Sequence, residues 1–207
     1  MSDSFTATAV IDGARLDQAY TYATYRQHLD ELMAQNRTTG PTQTEQFLHY
    51  ARLNIRRMQR LDKTMELLPE LQAALRSLPQ PYVWLVLTEG WCGDAAQLVP
   101  VLEAVAQASH GQLTTRYLLR DENLDLMDRY LTNGGRAIPR LIVLHTGTLA
   151  EAATWGPRPA TAQGLLVRQQ QQQVPYEEFA TQLHSWYAKD RTQSTQRELL
   201  ALLRRLE

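Results

Sequence analysis

The stretch Pro81–Pro100, PYVWLVLTEGWCGDAAQLVP, decides the fold. Val83–Leu87 is a run of apolar and β-branched residues, which reads as a buried strand. The run breaks at Glu89-Gly90 and delivers Trp91-Cys92-Gly93-Asp94 to a new segment. There Ala95, Leu98, Val99, Leu102, Val105 and Ala106 recur at spacings of three and four, the periodicity of a helix with one buried face. The single cysteine of the chain therefore stands where a strand hands over to a helix. Unpaired backbone N–H groups and the positive end of the helix dipole collect at that position, and both favour a thiolate. A reactive cysteine with a pKa drawn from about 8.5 towards 7 is the expectation from position alone.

Working outward, the segments on either side of this stretch suggest a sheet. After the Cys92 helix, Ser109-His110-Gly111 is a stop, and Gln112–Leu119 alternates loosely as a second strand. Arg120–Asn123 precedes a helix expected over Leu124–Leu131, which Asn133-Gly134-Gly135 ends. Arg140–His145 reads as a third strand, Thr146-Gly147 as a turn and Leu149–Trp155 as a fourth strand in a hairpin with it. The order is strand, helix, strand, helix, strand, strand.

Helices are expected on both flanks of that unit. Residues 1–12 look frayed, and Ala14–Asn36 carries an apolar stripe through Leu16, Tyr20, Tyr25, Leu29 and Leu32. Gly40-Pro41 is a turn, and Thr42 with Glu45 fits a capping box opening a second helix that runs to about Leu67. Glu70–Ser77 makes a short third helix after Pro69. Beyond the rigid turn Trp155–Pro159, helices are expected over Ala160–Gln173, from Pro175 through Tyr187, and over Thr192–Leu206. A flexible glutamine-rich linker competes with the first of these three. The expected division is a helical extension over 1–80, an α/β core over 81–157 and a second helical extension over 158–207.

Composition narrows the function classes. With 21 Lys and Arg against 22 Asp and Glu, the net charge of −1 gives no argument for a nucleic-acid or membrane partner. No stretch approaches the ~20 apolar residues of a membrane span. The opening MSDSFTATAVID lacks the basic-then-apolar pattern of a secretory signal, and one cysteine rules out an internal disulfide. Both fit a reducing cytoplasm, which is the expected location. His28, His49, His110, His145 and His184 are scattered, with no i, i+4 pair, so no metal site is expected. No glycine-rich phosphate loop is present, and no cofactor is expected. Arg52, Arg56 and Arg60, with Arg57 beside them and Lys63 beyond, line one face of the second helix. They read either as a surface for an anion or acidic partner or as a solvated face.

Two motifs carry a family resemblance. Trp91-Cys92-Gly93-Asp94-Ala95 resembles the Trp-Cys-Gly-Pro-Cys site of thioredoxins, and Arg136-Ala137-Ile138-Pro139-Arg140 with Leu141–Leu144 after it resembles their Arg-Gly-Ile-Pro-Thr segment. The resemblance covers roughly residues 82–156. It implies a thioredoxin-like α/β fold, with a central mixed sheet flanked by helices. It also implies a cis proline at Pro139, opening a strand beside the cysteine. Two departures bear on activity: Ala95 stands where the second cysteine would be, and Asp94 replaces the proline between.

Two functions follow from the resemblance. The first is monothiol-type thiol–disulfide exchange through Cys92, as a thiol–disulfide oxidoreductase without a resolving cysteine. Protein thiols or disulfides, or an external thiol such as glutathione, would be its partners. The second is a non-catalytic module of the same fold that binds a peptide or protein. In the first, Cys92 is the catalytic residue, and Trp91, Gly93, Asp94, Ile138, Pro139 and Arg136 form the substrate-binding set; in the second, the partner lies in the Trp91/Pro139 groove and Cys92 is dispensable for binding. Arg136 and Arg140 flank the proline as anion-attracting or merely solvated residues. Asp94 would either oppose the thiolate or cap the helix, and the sequence leaves that choice open. A glutaredoxin-like glutathione site matches less well, because Gly134-Gly135 lies before the proline rather than after it. The leucine-rich tail leaves a homodimer open.

Overall fold

The computed structural model describes residues 11–206. The expected fraying of the chain start therefore lies, for residues 1–10, outside the described residues. The mixed sheet flanked by helices that periodicity suggests is the architecture observed. Its four strands are β1 (Tyr82–Thr88), β2 (Leu113–Leu119), β3 (Arg140–His145) and β4 (Glu151–Trp155), in the order β2-β1-β3-β4. β1 pairs parallel with β2 and antiparallel with β3, and β3 pairs antiparallel with β4. All seven residues of β1 are buried, as a central strand covered on both faces requires.

The crossover from β1 to β2 is α5 (Gly93–Ala108), whose apolar face meets the sheet through Leu98, Val99, Leu102 and Val105, none with measurable exposure. The N-terminal helices are α1 (Gly13–Gln18), α2 (Tyr22–Ala34), α3 (Glu45–Thr64) and α4 (Pro69–Leu75). After the sheet come α7 (Ala160–Gln172), α8 (Tyr176–Asp190) and α9 (Gln193–Leu203). Tyr25, Leu29 and Met58 from the first group, and Phe179, Leu199 and Leu202 from the second, belong to the same buried cluster as the sheet. That shared cluster supplies what amphipathic helices of this length need to be stable.

Three element boundaries differ from the sequence reading. The first helix is broken: Tyr20 leaves the helical path and exchanges backbone hydrogen bonds with Tyr117, extending the edge of β2. The second starts later, because Thr44, not Thr42, caps it by accepting from Phe47 N–H. The helix expected over Leu124–Leu131 is a 3-10 turn (Arg120–Glu122) followed by a single turn, α6 (Leu124–Met127). The glutamine tract is helical, ending at Gln173 in a left-handed conformation. Between α8 and α9 the chain reverses through Arg191 and Thr192, both left-handed at φ +50 and +64°.

Candidate functional site

β1 ends at Thr88, and three residues later the motif opens α5. Cys92 is the N-cap of that helix, with extended backbone angles, so its thiol points across the first turn. The sulfur accepts from Ala95 N–H at 3.5 Å, and the thiol donates to the Ile138 carbonyl at 3.4 Å. Cys92 is only 8% exposed.

That burial corrects the expectation of an accessible, acidified thiol. Burial pushes the Cys92 pKa up to about 12, and the charge of Asp94 adds to the effect. The Ala95 N–H and Arg158 pull the other way and lose. A helix start favours a thiolate through its free N–H groups. That advantage is a fraction of the cost of removing a charged sulfur from water.

Of the two roles open to it from sequence, Asp94 takes the first: it opposes the thiolate, while its oxygens are spent on side chains rather than on capping the helix. It is buried, and its carboxylate receives the Arg158 guanidinium at 2.7 Å and the Tyr187 hydroxyl at 2.6 Å. The motif thereby clasps α8 and the turn after β4 onto the first turn of α5. Tyr187 is held neutral, first by its own burial and then by the neighbouring carboxylate.

The second motif meets the first across a groove. The Ile138–Pro139 peptide bond is cis. Trp91, Cys92, Gly93, Asp94, Arg136 and Ile138 line one cavity of about 360 Å³. Pro139 is buried and is not among the lining residues. Gly156, at φ +108°, presses against it: a Cβ there would fall 2.5 Å from the Pro139 carbonyl oxygen. Arg136 lines the cavity but holds Asp128 through two bonds of 2.6 and 2.8 Å. Arg140 does not flank the thiol. Its guanidinium donates to the Gly156 carbonyl at 2.7 Å and to Thr154 Oγ1 at 3.1 Å.

Trp91 is half-buried and forms a wall of the groove, packed on Phe47 at 5.2 Å between ring centres and covered by the Arg120 guanidinium at 4.8 Å. Phe47 and Tyr50 of α3 and Tyr176, Phe179 and His184 of α8 complete the enclosure. Sequence reasoning did not reach these residues. In the sequence His184 is one histidine among scattered ones, and the spacing of Phe47 and Phe179 does not distinguish them from core residues of their helices. The basic face of α3 resolves into two groups: Arg52, Arg56 and Arg60 are exposed, whereas Arg57 is half-buried and turned towards the motif.

Comparison with known proteins agrees with this architecture. The family described as thioredoxin matches residues 40–175. Among curated proteins, none matches. A crystal structure of a Pseudomonas aeruginosa protein of unknown function is similar over 91% of this chain and 94% of its own, at 17% identity and a TM-score of 0.59. A crystallised HIV epitope scaffold is similar over 94% of this chain and 98% of its own, at 18% identity and a TM-score of 0.58. Both likenesses concern the fold.

Proposed function

Because this chain belongs to the thioredoxin family, we propose that it uses the family's groove as a binding site, with Cys92 kept as a neutral thiol in its floor. Trp91, Gly93, Asp94, Arg136 and Ile138 form the binding set around it, with Pro139 behind Ile138 as a support rather than a contact. The observation that carries this reading is the enclosure of Cys92, 8% exposed with its pKa pushed up to about 12, inside a cavity that still has room for a guest. At neutral pH such a sulfur is a donor to a carbonyl rather than a nucleophile. The guest is a compact molecule or the end of a peptide, since α3 and α8 wall the groove that a folded partner would need to reach.

A second reading, monothiol exchange, is favoured by one contact: the Ala95 N–H aimed at Sγ, the interaction that would stabilise a thiolate once water or a guest relieves its burial. In that reading the deprotonated Cys92 attacks one sulfur of a disulfide, forming a mixed disulfide. The other sulfur leaves as a thiolate and takes up the proton. With no second cysteine, an external thiol such as glutathione must attack the mixed disulfide and return Cys92 to the thiol.

Alkylation separates the two readings. With iodoacetamide between pH 6 and 10, the folded protein is expected to label at Cys92 at least about a hundredfold more slowly at pH 7.5 than the denatured chain. Labelling as fast as a free thiol, with a midpoint near pH 7, would overturn the binding reading in favour of exchange.

A further inference from the structure

The arginines around the Cys92 groove divide unevenly. Arg120, Arg136 and Arg158 each hold an aspartate: Asp121, Asp128 and Asp94. Arg57 has no carboxylate within ion-pair distance among the described residues. It donates to Asn54 Oδ1 at 2.7 Å, and Asn54 is itself fixed, 1% exposed and donating to the Gly90 carbonyl at 3.0 Å. A guanidinium has five N–H donors, so this bond aims the group without satisfying it. A partly buried cation without a counter-ion is an unfavourable arrangement that an incoming anion relieves.

The groups facing Arg57 are also donors. A Cβ on Gly93 would lie 3.0 Å from His184 Cε1 and Nε2 and 4.0 Å from Arg57 Nη1, so the three residues meet at one point. Gln97 Nε2 lies 3.5 Å from His184 Nδ1, which in a neutral imidazole assigns the ring proton to Nε2, on the Gly93 side. Burial and the Arg57 charge keep that ring neutral. Beyond this point opens a cavity of about 530 Å³, walled by Tyr50, Trp91 and Tyr176. Glu177, the acid that lines it, is exposed.

We propose that this cavity binds a small organic oxyanion, a carboxylate or phosphate carried on a flat apolar body. The anionic group sits between Arg57 and His184, and the body lies among Tyr50, Trp91 and Tyr176. The proposal rests on the groove reading above and names the class of guest for the cavity that adjoins that groove across Trp91, Gly93 and His184. Arg57 supplies charge and paired donors, which suit planar or tetrahedral oxyanions. The three rings supply the faces against which a flat body packs.

The test is a titration of the full-length protein with phenylacetate, phenyl phosphate and the neutral phenylacetamide, followed by NMR at the Trp91 indole N–H. At least one anion is expected to bind tenfold or more tightly than the amide, and the tighter anion identifies the oxyanion as carboxylate or phosphate. Arg57→Gln should abolish that margin. Arg56→Gln, the same charge change on the exposed side of α3, should preserve it. Equal binding of amide and anions, or an unchanged margin in Arg57→Gln, overturns the oxyanion subsite and leaves the groove reading standing. No Trp91 response to any of the three removes both. If Arg57→Gln does not fold, Arg57→Lys takes its place: a reduced margin supports the proposal and an unchanged one refutes it.

Discussion

Glu89 follows β1 with its carboxyl in the interior, where one oxygen accepts from Asp121 N–H at 2.9 Å and the other has no partner. Burial lifts its pKa to about 7. A carboxyl raised in the folded state contributes stability in its neutral form. That contribution is complete below the unfolded value near 4.5 and is lost as the pH climbs through about 7. Glu89→Gln keeps an acceptor for Asp121 N–H and removes the ionisation. It is expected to match the natural protein at pH 4.5 and to exceed it at pH 8 by on the order of 2–3 kcal/mol in urea unfolding. A natural protein more stable than the variant at pH 8 would refute the buried ionisation. Cys92 shows what a single residue's neighbourhood in sequence can convey. Its place at the head of α5 was legible from the strand-to-helix switch. Its enclosure was not, because Phe179, Leu183 and His184, which share its cavity, lie about ninety positions further on.

Among the elements, α8 is the one tied most directly to the motif. Tyr187 reaches Asp94 at 2.6 Å, so this helix is fastened at the same carboxylate that follows Cys92 and Gly93. Tyr187→Phe removes a charge-assisted bond to a buried acceptor, leaving Arg158 in place. It is expected to cost about 1–3 kcal/mol and to quicken Cys92 alkylation as α8 loosens. Unchanged alkylation with lowered stability would mean that α8 does not shield the thiol. Elements whose apolar period is strong and self-contained, such as β1, α5 and β3, could be read from sequence within a residue or two at most ends. The short ones could not. The split between α1 and α2 arises from Tyr20 pairing with Tyr117, a contact nearly a hundred residues away. α6 lasts one turn although Leu124 and Met127 within it and Tyr130 and Leu131 after it have helical spacing.

At the scale of the whole molecule, the chain's two flanks meet beside the sheet rather than only packing on it. Gln196 of α9, 1% exposed, accepts from Leu68 N–H at 2.7 Å and donates to the Glu66 carbonyl at 2.9 Å. Its side chain thus serves the segment that joins α3 to α4. Gln196→Ala removes both of these part-buried bonds at once and is expected to cost about 1–3 kcal/mol in one cooperative unfolding transition. Two separated transitions in calorimetry would show instead that the flanks unfold independently of each other. The arrival of helices at both ends of the α/β unit was legible from their stripes. Their mutual contact was not, because amphipathic periodicity says which face is apolar and nothing of which surface receives it.

The corner at Arg191 and Thr192 has a wider consequence. Two successive side-chain-bearing residues occupy a conformation that costs L-residues roughly 1–2 kcal/mol each. The chain accepts that tension to turn back in a single step, with no slack between α8 and α9. Leu199, Leu202 and Leu203, immersed in the interior, act as ballast for the turn. The roof over the sulfur is therefore cantilevered from a taut joint anchored in the core, so its pitch is governed from behind as well as by whatever it covers.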